Sequence, residues 1–189
     1  MRTLCGTILA AVLSLSANAN SVASFCERAK KGDRLTVAFL GGSLSWGANA
    51  TDPNKASWRA LVGRRLEERY PDAHFKFIDA AIGGTDSGLG IFRLERDVMP
   101  CKPDIVFVEW LVNDGERKAD DDCSCSYEGI VRHILERLPG CVPVQVMLPT
   151  RGTIEEPDAM RHGFIGDKDN RIAKEITWCA KYSSTQLVK

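Results

Sequence analysis

The chain carries no excess of charge. Its 25 basic residues balance 25 acidic ones across 189 positions, so the electrostatic footprint of a nucleic-acid or anionic-membrane binder is missing. Long apolar runs are equally scarce. The segment Ile8 to Leu15 is too short to span a bilayer, and no other stretch is apolar enough to do so. Low-complexity tracts and internal repeats are absent, which sets aside solenoids and extended disordered linkers. Histidine is rare, at three residues, and none stands at ligand spacing from Cys123-Ser124-Cys125. No metal site is expected from that pair. Gly83, Gly84, Gly88 and Gly90 do not fit Gly-x-Gly-x-x-Gly, and no phosphate-binding lysine follows them. No nucleotide or other cofactor is expected.

What is present begins at the N-terminus. Met1-Arg2, the apolar run to Leu15 and then Ala17-Asn18-Ala19 read as a secretory signal peptide over residues 1–19. A second cut, after Ser21-Val22-Ala23, also fits. The expectation is a secreted or periplasmic protein without a membrane span. Cleavage removes Arg2 and no acid, taking Lys and Arg from 25 to 24 against 25 acids, a net charge near −1. Cys5 leaves with the leader. Cys26, Cys101, Cys123, Cys125, Cys141 and Cys179 remain, an even count that in an exported chain suggests disulfides, in any of roughly 15 pairings.

Apolar patterning predicts four strands alternating with helices. The strands are Leu35 to Leu40, His74 to Ala80, Ile105 to Val112 and Val142 to Leu148. The helices are Trp58 to Tyr70, with Trp58, Leu61, Val62, Leu66 and Tyr70 on one face, then Ser87 to Val98 and Tyr127 to Leu138. Such alternation implies right-handed crossovers and a parallel sheet between two helical layers. Strands one and three are apolar almost throughout, as strands buried on both faces are. Strand two alternates, with Phe75 and Phe77 between polar neighbours, and suits an edge. The expected order is 2-1-3-4, with the switch point between strands one and three.

Three loops then leave the same end of the sheet. The first is Leu40-Gly41-Gly42-Ser43-Leu44-Ser45-Trp46-Gly47, where a buried strand ends in two glycines and lifts a serine hydroxyl beside the switch point. It reads either as a nucleophile turn or as an ordinary glycine-rich turn. The second, Ala81 to Gly90, holds Gly83-Gly84, and the third holds Asn113-Asp114-Gly115. A glycine N–H and an asparagine amide are neutral, directional donors of the kind that stabilise the oxyanion in ester hydrolysis, each worth roughly 3–4 kcal/mol of barrier. Each loop alone also fits a structural turn.

Together these blocks resemble the SGNH (GDSL-type) hydrolase family of serine esterases and acylhydrolases. The match runs from Arg34 to Thr150, through Gly41 to Gly47, Ile82 to Ser87 around Gly84, and Asn113-Asp114. The resemblance implies a three-layer α/β/α sandwich of flavodoxin-like type, with the domain over residues 34–150. It also implies Ser43 as nucleophile, the N–H groups of Ser43 and Gly84 with the Asn113 side chain as oxyanion hole, and Asp114 as a brace for its loop. The implied substrate is a small-molecule or carbohydrate ester, such as an O-acetyl or short acyl group on a sugar.

The family's Asp-x-x-His near the C-terminus has no counterpart. His74 opens strand two, far from Ser43, and His133 shares a polar helix face with Arg132, Glu136 and Arg137. His162, four residues after Asp158, is the remaining candidate for the base. Residues 151–189 read as a divergent or truncated tail. It has a weak helix at Asp169 to Tyr182, no visible fifth strand, and therefore an uncovered edge on strand four. An inactive carbohydrate- or partner-binding module, or a fragment of an esterase, is the alternative reading.

Overall fold

The computed structural model describes residues 21–115, 123–146 and 186–188. In chain order its elements are α1 (Val22–Lys30), β1 (Arg34–Gly41), α2 (Ser43–Trp46), α3 (Pro53–Ala56), α4 (Trp58–Arg69), β2 (His74–Ala81), α5 (Ser87–Asp97), β3 (Ile105–Glu109), α6 (Leu111–Gly115), α7 (Cys123–Arg137), β4 (Val142–Val146) and β5 (Gln186–Val188). All pairings are parallel, and the sheet order is β2-β1-β3-β4-β5.

The period-two alternation of the strands builds the three layers. Leu35, Val37, Phe39 and Ile105 face α1 and α4, packing with Phe25, Trp58, Val62, Leu66 and Tyr70. Ala38, Leu40, Val106 and Val108 face the other way, against Leu94 of α5, Val98 just after it, and Ile130 and Ile134 of α7. Asp104 pins the lower end of the sheet. Its carboxylate accepts from the Thr36 N–H at 2.7 Å and from the Arg28 guanidinium of α1 at 2.5 Å.

The expected order 2-1-3-4 holds, with β2 at the edge. Four expectations change. A short fifth strand, β5, pairs with β4 from Val144 opposite Gln186 to Val146 opposite Val188, so β4 is not the sheet edge there. β3 stops at Glu109, and the apolar residues beyond it enter α6, whose start is marked by the Asp114 N–H donating to Trp110 O at 2.9 Å. An apolar run does not by itself distinguish strand from helix. Leu61 is exposed, because the packed stripe of α4 follows Trp58, Val62 and Leu66 at four-residue steps and Leu61 falls beside it. His133 is half-buried, although its neighbours Arg132, Glu136 and Arg137 are all exposed.

Cys26, Cys101 and Cys141 are free thiols, so the expected disulfides are not formed among these three. Cys141 is buried, and burial pushes its thiol up to about 12. No helix among the described residues is long and apolar enough to cross a membrane. The leader expected over residues 1–19, His162 with Asp158, the helix expected at Asp169 to Tyr182, and Cys179 lie outside the described residues.

Candidate active site

Strand register brings the three loops level. Gly41, the last residue of β1, is opposite Ala81 of β2 on one side and Glu109 of β3 on the other. The ladder then runs one step further, with the Ile82 N–H donating to Gly41 O at 3.0 Å and the Gly42 N–H to Glu109 O at 3.1 Å. Each chain leaves the sheet here, so Ser43, Gly83-Gly84 and Asn113 emerge at the carboxyl ends of neighbouring strands beside the β1/β3 switch point.

Ser43 is the first residue of α2 and is half-buried. A close approach explains the glycine just before it. A Cβ on Gly42 would lie 3.3 Å from Thr85 O and from Trp110 Cδ1, and 3.4 Å from Asn113 Nδ2. The turn therefore nests between the other two loops only with its side chain absent. On the opposite flank, a Cβ on Gly83 would stand 3.8 Å from Ser43 Cβ, so Gly83 borders the serine. Gly84 follows in the left-handed region at φ +71, with open space beside its Cα.

Thr85 ties the loops together. Its carbonyl accepts from Asn113 Nδ2 at 2.6 Å. Its hydroxyl donates to Ile82 O at 2.8 Å and accepts from the Trp110 indole at 3.3 Å. One hydrogen of the Asn113 amide is thereby directed to Thr85, and the other remains for a ligand. Asp114, buried, accepts from the Ser87 N–H at 2.9 Å and so joins the Asn113 loop to the start of α5. Arg93 of α5, also buried, donates to Ala80 O at 2.9 Å and pairs with Asp97. It fixes the end of β2 just before Gly83.

Beneath the turn, Ser45 Oγ donates to Glu109 Oε2 at 2.8 Å, with both residues buried. Burial raises the Glu109 pKa, the Ser45 hydrogen bond opposes that shift, and the nearby Asp114 carboxylate adds to it. Trp46, by contrast, is 47% exposed on the outer side of α2.

Sequence reasoning singled out Ser43, Gly84 and Asn113, and all three lie on the converging loops. It missed Thr85, Trp110, Ser45 and Glu109. Glu109 had a signal, since a carboxylate in a strand buried on both faces needs a partner. Thr85 had none, because its role depends on contacts 25 and 28 residues away. His74 sits at the start of β2 opposite Arg34, at the far end of the sheet. His133 lies near the end of α7, which leads into Val142 and Ile105 at that same far end.

The model of the GDSL-like lipase/acylhydrolase family matches residues 39–180. Among solved structures, a two-domain esterase (CEX) active on acetylated mannans, co-crystallised with mannopentaose, is 32% identical over 66% of this chain and 33% of that one, with a TM-score of 0.60. Another structure of such an esterase shares 27% identity over 85% of this chain and 44% of that one, with a TM-score of 0.62. The present chain thus spans between a third and a half of those two-domain proteins. A catalytic mutant of Axe2, an acetylxylan esterase from Geobacillus stearothermophilus, shares the fold at 18% identity. It covers 82% of this chain and 75% of that one, with a TM-score of 0.61. No curated protein sequence matches.

Proposed function

The chain belongs to the GDSL-like lipase/acylhydrolase family, and from that premise we propose that it is an exported hydrolase cleaving a carboxylic ester through an acyl-enzyme on Ser43. The convergence of Ser43, Gly84 and an Asn113 amide oriented by Thr85 at one sheet end is the observation that supports this reading most strongly.

In the proposed reaction Ser43 Oγ attacks the ester carbonyl carbon and passes its proton to a base. The carbonyl oxygen becomes an oxyanion held by the N–H groups of Ser43 and Gly84 and by Asn113 Nδ2. Collapse breaks the bond to the alcohol, which departs with the proton held by the base, and leaves an acyl-serine. Water, deprotonated by the same base, attacks that ester, returns the proton to Ser43 and releases the acid. A serine hydroxyl is a weak nucleophile without such a base. His74 and His133 belong to the other end of the sheet, so His162 is the histidine to test.

The substrate we assign is an O-acetyl or short acyl ester on a carbohydrate. Esterases active on acetylated mannans are among the similar structures, and the exposed Trp46 indole suits stacking on a sugar ring. Hydrolysis of acetylated mannan and of p-nitrophenyl acetate by purified protein tests the reading. Turnover that Ser43→Ala removes and His162→Ala depresses is expected. A folded protein that releases acetate from neither compound sinks it in favour of an inactive binding module, the reading that the missing Asp-x-x-His favours.

A further inference from the structure

We infer that Ser45 and Glu109 form a positioning pair that fixes the angle at which Ser43 is presented to the ester, a role that rests on the hydrolase reading above. Glu109 grips the turn twice. Its carbonyl accepts from the Gly42 N–H at 3.1 Å, one residue before Ser43, and its carboxylate accepts from Ser45 Oγ at 2.8 Å, two residues after. Ser43 is held between these anchors on a helix of four residues, too short to keep its own orientation by helical hydrogen bonds alone.

The packing around the pair allows one arrangement. Gly41 sits against both anchors, since a Cβ there would fall 2.5 Å from Glu109 O and closer still to Ser45 Oγ. Ser45 is fully buried and Glu109 is 2% exposed. A carboxylate is costly to bury, and replacing both members of a buried polar pair by apolar groups of the same shape can be neutral or stabilising. Its presence directly under the nucleophile turn points to geometry rather than stability. The groups acting on Glu109 are the Ser45 hydroxyl and backbone N–H and the Gly42 N–H of the turn, and the Asp114 carboxylate of α6. The same strand end therefore carries the brace of the nucleophile and leads directly into the loop that carries Asn113.

The pair acts on placement, so its loss should appear in turnover rather than in substrate affinity. A displacement of about 1 Å at a reacting atom can cost about 100-fold in rate. The experiment measures kcat, KM, melting temperature and the rate of Ser43 phosphonylation by a fluorophosphonate in wild type, Ser45→Ala, Ser45→Cys, Glu109→Ala and Glu109→Gln. Ser45→Ala is expected to lower kcat and phosphonylation about 10- to 100-fold with KM nearly unchanged. Glu109→Gln, which keeps an acceptor oxygen, should recover most of what Glu109→Ala loses. Ser45→Cys, of similar size but a weak donor, serves where Ser45→Ala does not fold and should lose turnover in the same way. A folded Ser45→Ala or Ser45→Cys with wild-type kcat overturns the inference, as does a loss confined to KM. Failure of the wild type itself to turn over or label overturns the hydrolase reading, and the positioning role with it.

Discussion

Gly90 of α5 shows how tightly single residues are set around the site. A Cβ there would fall within 2.7 Å of three atoms of the Trp110 ring, which is fully buried and cannot swing away. Alanine is intrinsically better than glycine in a helix by about 1 kcal/mol, but overpacking a rigid ring costs about 1–3 kcal/mol or more, so the clash should win. Gly90→Ala is therefore expected to lower the urea midpoint. Asn113→Ala removes one neutral donor and should lower kcat about 10²- to 10³-fold, measured on an acetyl ester, while the protein stays folded. Glu109 carries a pH signature. Burial holds its pKa above the usual carboxylate range, so the folded chain keeps a proton there that the unfolded chain has released. The stability linked to that proton is fully present below the unfolded pKa of about 4.3 and is lost as pH rises through the higher folded value. Urea unfolding between roughly pH 4 and pH 7 should thus show Glu109→Gln gaining on wild type as pH rises. A constant difference would contradict this. Residues of this kind are the least legible in the sequence. Ser43 and Asn113 announce themselves by motif, whereas Thr85 and Trp110 matter only through partners that the fold supplies.

At the level of elements, legibility followed burial. β1 and β3 are apolar over most of their lengths and were readable as central strands. β2 was readable as an edge from Phe75 and Phe77 alone, which pack on one face against the α4 layer. β5 escaped because three residues, Gln186 to Val188, are too few to show a period. α6 escaped because Leu111 and Val112 continue the apolar run of β3 past its last paired residue. α1 was also missed, although its start is written in Ser21 and Ser24, each of whose side chains bonds the other's backbone N–H at 3.1 Å. That capping box makes a concrete case. Ser21→Ala should destabilise the protein by about 1 kcal/mol, read from chemical denaturation, whereas an uncapped or frayed α1 would show no change.

For the whole molecule, the parallel order with β1 beside β3 gathers the loops after β1, β2 and β3 at one end, and a chain of hydrogen bonds through Thr85 and Glu109 locks them together. The Ser21 cap of α1 also bears on the proposed export. Cleavage after Ala19 leaves the Ser21 cap intact, while cleavage after Ala23 removes it along with the first turn of α1. Intact-mass analysis of exported protein is accordingly expected to show a mature N-terminus at Asn20. The proposed activation of one serine at this end of the sheet is probed by treating the folded protein with a fluorophosphonate and locating the adduct by peptide mass spectrometry. A single adduct on Ser43, absent from Ser43→Ala and strongly slowed in Asn113→Ala, is the predicted result. A folded wild-type protein that remains unlabelled, or that is labelled at another residue, would contradict it.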